Sequence, residues 1–184
     1  MKRMALAVGV VVLVFAVSLW AQTTAPKPDP EITKFEVFLG HWTYAAEYKA
    51  SPLGPASKVT GELSGRKILG GFFIENQSTE KGAMGETRAI EIVGYDPANK
   101  AFFSNEYHDD GNMFTGAYVF NGNTVTYSGK FIVGGKPYMA KFTMIIAADS
   151  MSFVGKGEIS TDGNSWAPWL GAKYAKVLKP APKK

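Results

Sequence analysis

The chain has 184 residues, of which 46% are hydrophobic and 20% are charged, a balance typical of one globular domain with a substantial core. Its formal net charge of +4 is too small to indicate a nucleic-acid-binding protein. The chain contains no cysteine, which excludes a disulfide framework, a thiolate metal site and a catalytic thiol.

The first 21 residues have the layout of a secretory signal peptide. A basic start, Met1-Lys2-Arg3, precedes residues 4–21, which are apolar apart from Ser18, and we expect cleavage after Ala21. An apolar run of about 18 residues is also near the lower limit for a membrane-spanning helix, so an uncleaved anchor is the alternative. Either interpretation predicts an exported protein, periplasmic or secreted.

Two polar, proline-containing segments flank the predicted domain. Residues 22–30 are typical of a flexible linker, and residues 179–184 form a basic tail. The folded domain is therefore expected at residues 31–178.

A short helix is predicted at the start of the domain, in the stretch DPEITKFEVFLG. Asp29 can cap this helix, and Pro30 suits its first turn. Four apolar residues fall close to one face: Ile32, Phe35, Phe38 and Leu39. The helix is expected to end at Gly40.

From Trp42 onward the hydrophobic period changes to two, which predicts about ten strands. The predicted strands are residues 41–50, 57–63, 71–79, 86–95, 101–108, 113–121, 124–131, 136–147, 152–160 and 172–178. Turns such as DPANK, DDGN and TDGNS join neighbouring strands. This all-β pattern predicts an up-and-down antiparallel β-barrel, because a long meander closes on itself and removes its edges.

Five segments resemble the DUF1579 family, an uncharacterised bacterial group that is similar to lipocalins and fatty-acid-binding proteins of the calycin superfamily. They are FLGHW at residues 38–42, ILGGFFIE at 68–75, IVGYDPANKAFFS at 92–104, DGNMFTGAY at 110–118 and STDGNSWAPWLGAKY at 160–174. The resemblance implies a lipocalin-like barrel and carries no established activity.

Trp42 is expected to plug one end of the barrel, where converging strands leave room for a large flat side chain. In lipocalins a basic residue of the last strand covers this tryptophan, and the resemblance implies that Lys173 or Lys176 does so here. His41 neighbours Trp42 in a strand, so its side chain should point outward.

His108 shares a strand face with Glu106, so the two side chains could act as an acid–base pair. The chain has only two histidines and no close ligand spacing, and we expect no metal site. Haem-binding members of the superfamily use a histidine near the end of the barrel, and none follows His108. No cofactor is therefore predicted, and no catalytic residue is assigned.

A set of ligand-binding residues is predicted from two features. Charged residues occur within the predicted strands, and the middle strands contain many aromatic residues. The predicted set is Arg88, Glu75, Glu106, His108, Tyr107 and Phe73, and Glu91 has a similar setting. Arg88 is expected to face inward and to hold a ligand carboxylate with help from Glu75 or Glu106.

Glycines on successive strands are expected to leave room for the ligand. They are Gly116, Gly129, Gly155 and Gly157.

Three functions remain open at this stage. The first is a binding protein for a small hydrophobic or amphipathic molecule, with no nucleic-acid partner and no membrane association after signal cleavage. The second is a small hydrolase or isomerase that uses Glu106 and His108. The third is a filled barrel with a structural or interaction role. The sequence does not define the oligomeric state.

Overall fold

The computed structural model describes residues 25–178 with the exception of Met84. The predicted signal peptide, the first residues of the predicted linker and the predicted basic tail lie outside the described residues. Within the described part of the chain, no helix is long and apolar enough to cross a membrane.

The N-terminal helix is a 3₁₀ helix at Pro30–Phe38. The Asp29 side chain accepts a hydrogen bond of 2.9 Å from the Glu31 backbone N–H, which caps the helix. A 3₁₀ helix has three residues per turn, so residues spaced by three lie in one line. This is why Ile32, Phe35 and Phe38 are all buried. The helix begins at Pro30, the last residue of the segment predicted as linker, and Asp29 of that segment is its cap.

Ten antiparallel strands follow and form a closed barrel, as predicted. They are β1 (Gly40–Tyr48), β2 (Ser57–Ile68), β3 (Phe73–Gly82), β4 (Gly85–Asp96), β5 (Ala101–His108), β6 (Met113–Asn121), β7 (Thr124–Val133), β8 (Lys136–Ile146), β9 (Ser152–Ser160) and β10 (Ala167–Lys176). Each strand pairs with its sequence neighbours, and β1 pairs with β10 to close the barrel.

Two strand boundaries differ from the predictions by five residues, and the other boundaries agree within three. β2 extends to Ile68, because Arg66 lies opposite Glu75 on β3 and forms an ion pair of 2.8 Å with it. β10 begins at Ala167, five residues earlier than predicted. Pro168 pairs with Glu158 of β9 just before a register shift, where a missing N–H is tolerated.

The helix covers one end of the barrel, which we call the closed end. Trp42 is only 1% exposed there, and its indole N–H donates a 3.1 Å hydrogen bond to the Phe38 carbonyl oxygen. The Lys176 ammonium lies 5.1 Å from the centroid of the Trp42 ring. The plug role of Trp42 and the lysine cover are therefore confirmed, and Lys176 is the covering residue. His41 is exposed, as expected.

Candidate functional site

A cavity of about 270 Å³ lies inside the barrel, beyond the closed-end core. Its apolar wall includes Phe38, Ala46, Phe142, Met144 and Phe153. Five tyrosines and several ionisable side chains also line it: Tyr44, Tyr48, Tyr118, Tyr127, Tyr174, Glu80, Glu91, Glu106, His108 and, at its edge, Arg88. The barrel interior is thus partly filled at one end and hollow beyond it.

Glu106 and His108 are the two members of the predicted set that face the interior. They follow the buried residues Phe102 and Ser104 at period two along β5. His108 Nε2 lies 3.1 Å from Glu106 Oε1, although the approach is too far off the N–H axis for a regular hydrogen bond. The His108 ring also packs against Phe114, with 4.8 Å between the ring centroids.

Two opposing effects act on the pKa of His108. Burial lowers it, because desolvation penalises the charged imidazolium, but the nearby carboxylates of Glu106, Asp110 and Asp109 outweigh this and raise it above 6.5. His108 therefore keeps its proton to a higher pH than a free histidine does.

The expectation that Arg88 faces inward is wrong. The side chains of Ala89 and Val93 are buried in the barrel core, and strand alternation therefore puts Arg88 on the outer face. Its side chain is 70% exposed, and its guanidinium donates hydrogen bonds of 2.9 Å and 2.6 Å to Glu86 Oε1. Arg88 borders the cavity, but its charge is directed to the outer surface.

Three further members of the predicted set also lie on the outer face. Glu75 is paired with Arg66, whose hydrogen bond lowers the pKa of the Glu75 carboxyl. Phe73 packs edge-on against Phe103 with 6.3 Å between ring centroids, and Tyr107 is 51% exposed. The structure therefore does not bring these side chains together with Glu106 and His108.

Glu91 is the most deeply placed carboxylate of the described cavity wall. Its oxygens accept hydrogen bonds from Ser104 Oγ at 2.5 Å, from the Tyr118 hydroxyl at 2.6 Å and from Asn76 Nδ2 at 2.8 Å. Burial, followed by the nearby Glu106 carboxylate, raises the pKa of Glu91, while the three hydrogen bonds act in the opposite direction.

Glu80 is an inward carboxylate that the sequence analysis missed. It accepts hydrogen bonds from the hydroxyls of Tyr48 at 3.0 Å and Tyr44 at 3.3 Å. Burial raises its pKa. A period-two count from Ile74 through Asn76 reaches Glu80 and identifies it as inward-facing.

The glycines of the inner face do not leave space for a ligand, so that expectation is wrong. A Cβ atom at Gly129 would lie 2.1 Å from the Tyr127 hydroxyl oxygen, and one at Gly155 would lie 2.2 Å from the Phe142 ring. Aromatic side chains of this chain already lie over these glycines. Small residues on one strand therefore accommodate large residues on the same or a neighbouring strand.

One hydroxyl of the cavity wall is buried without a partner. Tyr127 is 8% exposed, and its hydroxyl has no hydrogen-bond partner within the described part of the chain. The Oδ1 atom of Asn76, which also lines the cavity, has no such partner either. A buried polar atom without a partner carries a desolvation cost that a ligand can relieve.

Solved structures similar to this chain are barrels with low sequence identity. The crystal structure of Rv2717c from M. tuberculosis superposes with a TM-score of 0.59 at 12% identity and covers 83% of this chain and 100% of its own. This likeness supports the fold alone. The S-type phycobiliprotein lyase CPES from Guillardia theta gives a TM-score of 0.49 at 8% identity over 80% of this chain and 92% of its own.

Comparison with curated proteins gives no significant match. Residues 27–176 match the family described as "Protein of unknown function (DUF1579)". That range includes the helix and all ten strands. The chain therefore belongs to the DUF1579 family, and its closed ten-stranded barrel agrees with the resemblance seen in its sequence motifs.

Proposed function

We propose that this protein binds one small amphipathic molecule inside the barrel. The observation that carries the proposal is the cavity of about 270 Å³, whose wall combines apolar side chains with a few converging polar groups. Ligand sites in proteins commonly have this composition. The volume lies just below the range of roughly 300–1,000 Å³ that is usual for drug-sized ligands, so the ligand should be small.

The cavity wall suits a molecule with two different ends. Ala46, Phe142 and Met144 offer an apolar surface, whereas Glu106 and Tyr127 present polar atoms. Burial of an apolar body supplies most of the binding free energy, and a few polar contacts fix the orientation.

Native mass spectrometry of the purified protein tests this proposal directly, because a bound small molecule adds a defined mass. A matched pair of variants locates the site. Ala46 faces the cavity and Ala45 faces outward on the same strand, so Ala46→Phe should abolish binding of a solvatochromic apolar dye and Ala45→Phe should leave it intact. Equal dye binding by both variants would contradict an interior site.

A second candidate function is acid–base catalysis by Glu106 and His108. The specific observation in its favour is their 3.1 Å contact at the wall of the cavity. The rate of hydrolysis of a small p-nitrophenyl ester should then fall strongly in His108→Gln. The rate should stay unchanged in His41→Gln, because His41 is exposed at the start of β1 and does not line the cavity. Equal rates in both variants would exclude this function for ester substrates.

We further propose that the protein acts outside the cytoplasm. The support is the basic and then apolar pattern of residues 1–21. N-terminal sequencing of the protein recovered from the expressing cells tests it, and a soluble cytoplasmic product that starts at Met1 would overturn it.

A further inference from the structure

We propose that the molecule held in the barrel carries a protonated amine, which binds between Glu106 and Tyr127, and that the cavity selects cationic over anionic amphiphiles. The inference rests on the proposed binding function and names the chemical class of the ligand. The sequence analysis predicted a ligand with a carboxylate held by Arg88. We propose an amine instead, because Arg88 does not face inward.

The charge of the cavity wall is the first argument. Three carboxylates line the cavity, those of Glu80, Glu91 and Glu106, against one imidazole, that of His108. The guanidinium at the cavity edge, Arg88, is paired with Glu86 on the outer surface. A cation entering this cavity is attracted by the ionised forms of these carboxyl groups and in turn favours their ionisation, whereas a carboxylate is repelled by them.

The hydrogen-bonding capacity of the wall is the second argument, and it does not depend on the charge. The hydroxyl hydrogens of Tyr44, Tyr48 and Tyr118 are donated to Glu80 and Glu91. These hydroxyl oxygens therefore have only lone pairs left for a ligand. These lone pairs and the Glu106 carboxylate favour a ligand that donates hydrogen bonds, and an ammonium group carries donors and no acceptor.

Tyr127 marks where the amine binds. Its buried hydroxyl has no partner in the described part of the chain and lines the same cavity as Glu106. An ammonium between the two groups would donate to the Glu106 carboxylate and to the Tyr127 oxygen, and both bonds would be charge-assisted. Aromatic rings nearby, those of Tyr118 and Phe114, add favourable cation–π surface.

Proton linkage gives a second readout. Burial raises the pKa of both Glu80 and Glu91 and so favours their protonated forms in the free protein. A bound cation lowers the pKa of neighbouring acids. Amine binding should therefore release protons, whereas binding of a neutral molecule of the same shape should not.

Isothermal titration calorimetry of the full exported protein with phenylbutylamine, phenylbutanol and phenylbutyrate tests the proposal. The three probes share one apolar body and differ in their polar end. We expect the amine to bind at least about tenfold more tightly than the acid, with the alcohol between them. In buffers of different ionisation enthalpy, the amine titration should show proton release and the alcohol titration should show none.

Two isosteric variants locate the charge. Glu106→Gln should remove most of the preference for the amine over the alcohol, because the charged acceptor is lost. Glu47→Gln is the matched control, since Glu47 lies on the exposed face of β1 in an ion pair with Lys58, and it should keep the preference. The comparison of the three probes on the unaltered protein still tests the proposal if a variant fails to fold.

The outcomes separate the two proposals. Binding of phenylbutyrate as tight as that of phenylbutylamine, or an unchanged preference in folded Glu106→Gln, would overturn the amine assignment and leave the binding function intact. Failure of all three probes to bind at millimolar concentration would count against the binding function itself.

Discussion

Glu91 is a partly buried carboxylate that accepts hydrogen bonds from three donors on three different strands. Asn76 lies on β3, Ser104 on β5 and Tyr118 on β6. Buried polar groups cost free energy unless they are paired. The three hydrogen bonds therefore allow a carboxylate to be kept inside an otherwise aromatic barrel.

Tyr118→Phe should destabilise the protein, because it removes one of the three donors from a buried carboxylate. A lost hydrogen bond to a charged group typically costs about 1.5–3 kcal/mol. Tyr107→Phe is the control, since the Tyr107 side chain is on the outer face and half exposed, and it should change the free energy of unfolding very little. Urea denaturation measures both, and equal losses would contradict this account of Glu91.

Glu91 also predicts how stability depends on pH. Burial, followed by Glu106, raises its folded-state pKa above 4.5. The folded protein then binds its proton more tightly than the unfolded chain does, so the stabilising contribution of this proton is present below pH 4.5 and is lost as the pH rises through the folded-state pKa.

Because glutamine does not ionise, the free energy of unfolding of Glu91→Gln should rise relative to that of the unaltered protein as the pH increases from 4.5 toward neutrality. Glu47→Gln should show the opposite trend at acid pH, because a hydrogen bond from Lys58 lowers the pKa of Glu47. Denaturation curves at several pH values measure both differences. Parallel pH profiles for Glu91→Gln and the unaltered protein would refute the raised pKa.

Sequence reasoning placed Glu106 and His108 correctly, because strand alternation counted from Phe102 is reliable over a short strand. The predicted inward position of Arg88 is wrong, because alternation from the buried Ala89 puts Arg88 on the outer face. Sequence reasoning did not foresee that Glu80 and Glu91 share the cavity, since this depends on which strands face each other across the barrel.

At the scale of the elements, pairs of strands combine a glycine on one with an aromatic ring on the other. Gly116 on β6 lies opposite Gly129 on β7, and the Tyr127 ring covers both. A closed barrel has little interior width, so large side chains need such gaps. These glycines therefore determine where the aromatic wall of the cavity stands.

Gly116→Ala should destabilise the barrel, because its Cβ atom would lie 2.5 Å from the Ser128 backbone oxygen and 2.5 Å from the Tyr127 ring. Overpacking of this kind typically costs about 1–3 kcal/mol. Gly171→Ala on β10 is the control, because no atom lies within 4 Å of its Cβ position. Thermal or urea unfolding of both variants measures the difference, and a neutral Gly116→Ala would contradict the close packing.

All ten strands could be predicted because their alternation and their Asn, Asp and Gly turns agree with one another. The start of β10 could not, since Pro168 normally marks a turn and is accepted here only beside a register shift. The role of the inner glycines could also not be predicted from the sequence, because the positions of glycines along a strand do not show which aromatic ring packs over each of them.

At the scale of the whole molecule, the barrel divides into a filled closed end and a hollow part. Phe35 is packed edge-on against three rings at the closed end, those of Phe102, Tyr118 and Phe120, at 5.0–5.2 Å. The helix supplies this plug and, through Phe35 and Phe38, also part of the cavity wall, while the strands supply the rest of the wall. Trp42 belongs to the plug and does not line the cavity, so its contribution to stability should be separable from ligand binding.

Trp42→Ala tests this division. Trp42 is fully buried at the closed end and does not line the cavity. Its ring packs edge-on against that of Phe153, with 5.1 Å between the ring centroids. Loss of a buried tryptophan side chain typically costs about 3–5 kcal/mol, through lost burial and the void left behind. We expect urea denaturation to show a loss of that size, whereas Trp166→Ala should cost much less, because Trp166 is partly exposed in the turn before β10. Under conditions where Trp42→Ala is still folded, it should bind phenylbutylamine as the unaltered protein does, and a parallel loss of stability and affinity would show that the two ends of the barrel act as one unit.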